Sequence, residues 1–330
     1  MLHEVNALRL LTPPPPAFRK GTMHLADLLF WLLIEFAVIF LFFLIPGYLI
    51  PCWHAYRKYF INSDDEKESR RIQERRPTKK GIRREIRLSL QTILVFSVMG
   101  TGLYQMYKAD LTGIYWNTFK YPLYYIPVSF VLCLVVHDTM FYWTHRLMHW
   151  RPIFKYTHAG HHKSVSPTPW AIFAFQPAEA VLQFLCLGLI IIFIPMKPIV
   201  LAAYLSFDSM INIAGHTGHE VVPSWMSKHW FFKRFNNVTH HDNHHTNMRC
   251  NFGAFFNVWD RWMGTFVDHE PAEDSLVVAE QPGAPSDLVL LNSSQDRGSV
   301  SKEEAAVASG SSTSELLLAR DAALEESLPR

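Results

Sequence analysis

Twelve of the seventeen histidines fall in four clusters between His137 and His245, separated by apolar stretches. The first cluster, HDTMFYWTHRLMH, sets His145 and His149 four apart, so on a helix they share a face one turn apart, with His137 two turns earlier on nearly the same stripe. The second, HAGHH, places His158, His161 and His162 at i, i+3 and i+4, and His241, His244 and His245 repeat that spacing after His240. Each of these two segments is expected to present three imidazoles on one helical face. GHTGHE supplies His216 and His219 between them. So many imidazoles on one face would repel one another if protonated and would cost free energy if buried without partners. As neutral rings they are ligands for zinc, copper, iron or nickel, and eight or nine of them suit two ions better than one. The chain has no HExxH motif of a zincin-like hydrolase and no thiolate cluster. An all-histidine site in a membrane protein fits oxygen chemistry on a lipid, with two irons activating dioxygen against an unreactive C–H bond.

The elements that must position these rings are apolar. Leu28 to Ile45 carries one charge, Glu35, in a run about long enough to cross a bilayer, and similar runs follow near 88–107, 121–137, 178–195 and 198–215. The expected fold is therefore an all-α integral membrane protein of four to five hydrophobic helices under a histidine-rich helical cap. Between Arg57 and Arg87 there are twelve Lys or Arg against six Asp or Glu. That bias makes the loop 54–87 cytosolic and points its charge at lipid headgroups rather than nucleic acid. Counting spans from there brings all four clusters to the cytosolic face, with the hairpin PMKP at 195–198 on the other side. The sequon NVT at Asn237 to Thr239 would then never meet the glycosylation machinery. Cys52, Cys133, Cys186 and Cys250 are too scattered for a disulfide framework or a zinc ribbon. Residues 1–23 read as a Pro-rich leader without a cleaved signal. Residues 24–268 read as the membrane domain and 269–330 as a mostly disordered polar tail, with a transient helix near 313–327.

The order HDxxFYWxHRxxH, HxxHH, GHxxxE and HHxxHH, together with SPTPW at 166–170, PAEA at 177–180 and NVWDRWMGTF at 257–266, resembles the fatty acid hydroxylase superfamily, in particular its sterol desaturase branch. The resemblance covers roughly 24–268. It implies an integral membrane, non-haem di-iron enzyme that hydroxylates or desaturates a sterol, sphingolipid or fatty acyl chain with dioxygen and external electrons. Carried over residue by residue, it makes His145, His149, His158, His161, His162, His216, His241, His244 and His245 the metal ligands. His137, His219 and His240 form a second tier, with His219 below His216 because relatives often have an aromatic residue there. Where many relatives have His-Pro, this chain has Gln176-Pro177, which alters one polar contact.

Supporting roles fall to four polar residues. Asp138 and Asp242 neighbour ligands and could accept an outer imidazole N–H. Asp208 and Asn212 precede His216 by two helical turns and one, inside an apolar span where an acidic side chain is expensive. Trp170, Phe173 and Phe175 are candidates to line a substrate channel. With no GxGxxG and no P-loop, electrons are expected from a separate protein such as cytochrome b5 or a ferredoxin with its reductase, for which the basic loop is a possible dock. The expected location is the endoplasmic reticulum membrane, or the inner membrane in a bacterium. The competing function is a histidine-rich membrane metal transporter or sensor, which would place its ligands along a path inside the spans.

Overall fold

The computed structural model describes residues 25–268. The leader, the tail with its candidate helix and three histidines, His3, His24 and His269, lie outside the described residues. Among the described residues four helices are long and apolar enough to cross a membrane: α1 (Leu25–Ile61), α3 (Lys79–Lys108), α4 (Tyr125–Met148) and α8 (Pro198–Gly215). The short helix α2 is Asp65–Ser69. Helices α5 (Arg151–Thr157) and α6 (Ala159–His162) follow α4, and the 17-residue apolar α7 (Pro177–Phe193) precedes α8. Three further short α-helices follow among the described residues: α9 (Ser224–Lys228), α10 (Val238–Thr246) and α11 (Val258–Met263). Among the described residues the only β-type pairings are isolated bridges, Arg71 with His219, Ile114 with Met196 and Phe235 with Phe256. The chain is an all-α, multi-pass membrane protein.

The first helix runs well past the apolar stretch that announces it. It absorbs Pro46 and Pro51 and contains π-type segments at Ile39–Leu44 and Arg57–Ile61. Such bulges let a helix continue where regular hydrogen bonding is interrupted. The basic loop is correspondingly shorter than expected, because its last residues, from Lys79, already form the first turns of α3 behind the N-cap Thr78.

Helix α7 lies between α3 and α4, α8 packs on α4, and α1 on α3. One apolar core joins Cys133 and Leu134 of α4 to Ile190, Val200, Tyr204 and Phe255, and a second joins Tyr48 and Cys52 of α1 to Ile93, Trp170 and Ile172. The turn after α3 meets the turn between α7 and α8: Gly113 N–H donates to Ile191 O (2.8 Å) and Met196 N–H to Gly113 O (3.1 Å). A Cβ at Gly113 would stand 2.3 Å from Ile194 O, so this contact requires glycine. The other end of the bundle carries the cap. There the SPTPW segment is held from below: Thr168 Oγ1 donates to Glu85 (2.6 Å), and Tyr48 and Ser89 both donate to Trp170 O (2.8 Å each). Trp170 meets Tyr48 edge-on and Phe173 stacks on it, both within the second core, and Phe175 lies against His161.

Candidate metal centre

Nine imidazoles come together in the cap as two groups. His145, His149, His158, His162 and His244 form one; His161, His216, His241 and His245 form the other. Within each group the candidate ligand atoms all lie within 4.8 Å of one another. Nitrogens bound to one ion at about 2.1 Å stand at most about 4.2 Å apart, so only a small closure separates either group from coordination geometry.

Helical periodicity explains the partition. Residues at i and i+4 (145/149, 158/162, 241/245) enter the same group, whereas the i+3 partner turns about 60° away and enters the other. The three-imidazole faces expected of HAGHH and of His241 to His245 are therefore each divided two to one. Consecutive residues, 161 with 162 and 244 with 245, serve different groups, so the two groups adjoin; the His162 and His245 rings are 5.1 Å apart.

The outer nitrogens show what the inner ones must do. His145 Nδ1 meets Phe252 O at 2.9 Å, His244 Nδ1 meets Cys250 O at 2.7 Å and His216 Nδ1 meets Asn212 O at 2.7 Å. A carbonyl only accepts, so each of these Nδ1 atoms carries the proton and each Nε2 carries a lone pair. His158 Nδ1 donates in the same way to the fully buried Glu179 carboxylate at 2.6 Å. With both Nδ1 atoms protonated, the lone pairs of His145 and His158 face each other at 2.9 Å. His216 and His241 meet through Nε2 atoms 3.2 Å apart, as do His241 and His245. The buried Nε2 of His244 has no hydrogen-bond partner. Facing lone pairs and an orphaned buried nitrogen fit a shared cation.

Electrostatics agrees. Burial, reinforced by neighbouring imidazoles, holds His149, His158, His161, His162, His241 and His245 well below the ordinary histidine range. Burial also lowers His244 well below it, and lowers His216 to about 4. Rings kept neutral in this way are ready as ligands.

The other sequence candidates have different occupations. Asp138, expected to accept an imidazole N–H, accepts the backbone N–H groups of Phe255 (2.7 Å) and Phe256 (3.0 Å) instead. One residue along from His137 is about 100° around the helix, which turns the carboxylate toward the 252–256 loop. Asn212 orients His216 through its backbone carbonyl, while its side chain donates to Asp208 Oδ1 (3.1 Å). Asp208 stands 3.9 Å from His137, whose Nδ1 pairs with the Tyr204 hydroxyl at 2.6 Å. Asp242 sits half-buried on α10, its backbone carbonyl accepting from Thr246 (3.1 Å). None of the second tier joins either group. His219 is buried against Tyr59 and Phe60 with Nδ1 on Thr217 O (2.7 Å). His240 belongs to the α10 cap: Asn237 accepts its N–H, and its own Nδ1 accepts from Asn237 N–H. Gln176 ties the second histidine cluster down, accepting from Gly160 N–H (2.8 Å) and donating to Lys155 O (3.1 Å).

Two orienting groups have no part in the expected site. Glu179 lies within the PAEA motif, but its reach to a ring 21 residues earlier is tertiary. Asp260 is buried and accepts from Phe252 N–H, Gly253 N–H and Thr265 Oγ1, each at 2.8 Å. It thereby fixes the loop whose carbonyls hold His145 and His244. Replacing Asp260 by Ala is expected to cost roughly 2–4 kcal/mol, since three bonds to a buried carboxylate are lost. Thermal unfolding in detergent would show the lowered midpoint, with bound metal released earlier than in the unaltered chain.

An apolar cavity borders the second group, lined by Phe141, Ile211, Val238 and Phe255 together with His216 and His241.

A multi-pass helical membrane protein with two adjoining histidine groups in a cap at one end of its spans is the class defined by these features. Residues 130–265 match the model of the fatty acid hydroxylase family, and the curated relatives that the chain resembles include sterol desaturases and a lathosterol oxidase. Lathosterol oxidase of Homo sapiens is 31% identical over 193 residues, 57% of this chain and 62% of the human protein. A Delta(7)-sterol 5(6)-desaturase of Gibberella zeae is 27% identical over 209 residues, 62% of this chain and 63% of its own length. One of Schizosaccharomyces pombe is 30% identical over 163 residues, 48% and 52% respectively. The matched region thus spans less than two thirds of each of these relatives. No solved structure matches the chain.

Proposed function

We propose that this chain is a membrane-bound lipid oxidase whose nine grouped imidazoles hold two iron ions, with residues 24–268 acting as one membrane domain. The observation that supports this most is the pair of adjoining, all-histidine, buried groups bordered by an apolar cavity. Two irons, when bound, would supply the reduction of dioxygen and the cleavage of an unreactive C–H bond. The chain's own residues do the rest. Glu179, Phe252 O, Cys250 O and Asn212 O keep the outer protons in place and so aim four Nε2 lone pairs inward. Phe141, Ile211, Val238 and Phe255 offer a lipid's apolar body a dry surface beside His216 and His241.

Because the relatives are a lathosterol oxidase and Delta(7)-sterol 5(6)-desaturases, a Δ7 sterol is the first substrate to test. Whether hydroxyl is returned or a second hydrogen removed depends on where the carbon sits in the cavity. Electrons come from cytochrome b5 or a ferredoxin with its reductase, docked on the basic stretch between Arg57 and Arg87. The endoplasmic reticulum membrane is the proposed location, or the inner membrane in a bacterium. Both histidine groups sit at span ends rather than along a path through them, which favours a fixed catalytic site over a metal transporter.

The test is an untargeted lipid comparison of one host expressing the wild-type chain or a His241→Ala, His244→Ala, His245→Ala variant. A lipid that gains one oxygen or loses two hydrogens only with the wild type is the expected result. Matching profiles from chains that accumulate equally, in a host supplied with sterol and donor, would overturn it.

A further inference from the structure

The segment 223–235, between the third and fourth histidine clusters, carries an exposed aromatic and basic face that the metal centre does not use. Trp225 is 61% exposed, Trp230 73% and Phe231 47%. Lys228, Lys233 and Arg234 are interspersed among them and are exposed as well. No acidic residue occurs between Glu220 and Asp242. Large rings displayed to water in this way are costly unless something apolar covers them.

Both ends of the segment are pinned to the rest of the chain. At the near end Arg70 donates to Val222 O (3.1 Å). At the far end Asn236 N–H donates to Phe255 O (2.9 Å), and the Asn257 side chain donates to Lys233 O (3.0 Å) and Phe235 O (3.2 Å). Between the pins the rings pack chiefly on one another, Trp225 on Phe232 and Phe231 on Phe235. The segment begins eight residues after α8 ends at Gly215, on the side of the bundle where that span ends. The residues flanking it, Val221 and Val222 before and Asn236 and Asn237 after, all line the cavity that reaches His216 and His241.

We infer that segment 223–235 is an interfacial lip, with Trp225, Trp230 and Phe231 seated in the headgroup region of the membrane the chain spans and Lys228, Lys233 and Arg234 against anionic phospholipid. Tryptophan is favoured at that depth, and basic side chains at its edge gain from negative surface charge. The lip frames the cavity mouth at the bilayer surface, so an apolar ligand can pass from lipid to the second histidine group without crossing water. That last consequence rests on the lipid oxidase reading; the seating in the membrane does not.

The test uses the full chain in nanodiscs. Trp230→Cys is labelled with a small environment-sensitive fluorophore; Cys52, Cys133, Cys186 and Cys250 are buried, and the unaltered chain measures background labelling. In phosphatidylcholine mixed with phosphatidylserine, the expected result is loss of emission to phospholipid bearing a nitroxide near the headgroup and little loss to aqueous iodide. Adding Lys228→Glu, Lys233→Glu and Arg234→Glu should restore iodide quenching, and leaving out phosphatidylserine should do so in part. Emission quenched by iodide and not by the nitroxide lipid would overturn the inference. So would protection from both, which would mean a protein partner or second copy covers the face. None of these readouts depends on turnover, so failure of the oxidase reading would leave them unchanged.

Discussion

Replacing His241 and His245 together by alanine is expected to lower bound metal from about two ions per chain to about one and to abolish lipid oxidation. The two side chains are half of the second group, which would keep only His161 and His216. Two imidazoles leave too few ligands for a stable site in competition with solvent and cellular chelators. The first group would be untouched, with all five of its imidazoles present. His244→Ala makes the contrast, since it leaves four imidazoles in the first group and the second intact; it should retain close to two ions. Metal analysis of protein purified in detergent, alongside circular dichroism to confirm helix content, reads both results. Equal loss of both ions from the double variant would show that the groups do not bind separately, and unchanged stoichiometry would remove the second group from the site.

The second large effect belongs to Glu179, an acidic residue that ligates nothing in this scheme. Its carboxylate is completely buried and accepts from His158 Nδ1. Glu179→Gln keeps the volume, but the neutral amide is a weaker acceptor and can present N–H where the proton of His158 must be. A change at such an outer partner typically costs about 10–100-fold in metal affinity or activity, and that range is expected here. Glu179→Ala should cost more, because it leaves a buried donor without a partner as well as a void. The check is titration of apo protein with ferrous iron for each variant, with turnover measured separately at saturating iron. An affinity equal to wild type in both variants would reduce Glu179 to a helix-start carboxylate at the head of α7.

The nine candidate ligands were legible in the sequence because their spacing is local. Pairs four apart on a helix must fall together whatever surrounds them, and all nine imidazoles assigned from the family resemblance are the nine that the fold gathers. Which ring joins which group was not legible, since HAGHH and HDNHH fix only relative directions and packing decides where each points. Asp138 misled for a related reason. Adjacency in sequence says nothing of the direction of a carboxylate, and Asp138 turned out to brace the chain at Phe255 and Phe256. The groups that do orient the rings are two backbone carbonyls in the 250–252 loop, one in α8 and a glutamate on another helix. Backbone carbonyls have no signature in side-chain type, and Glu179 could be found only by asking what an acidic residue does at the start of an apolar helix. The spans were legible from hydropathy; the continuation of α1 to Ile61 was not, because prolines at 46 and 51 read as breakers.

The division of neighbouring residues between the two groups has a mechanical side. Because 161 is bonded to 162, and 244 to 245, the two histidine groups are linked twice by a single peptide unit whose Cα atoms are about 3.8 Å apart. The interval between the groups is therefore set by covalent geometry within two short helices and not by how the long spans lean on one another. Spans tilt to match bilayers of different thickness. His145 of α4 and His216 at the end of α8 join the groups from the spans themselves, but the interval between the groups is held by these two peptide links in whichever membrane carries the chain.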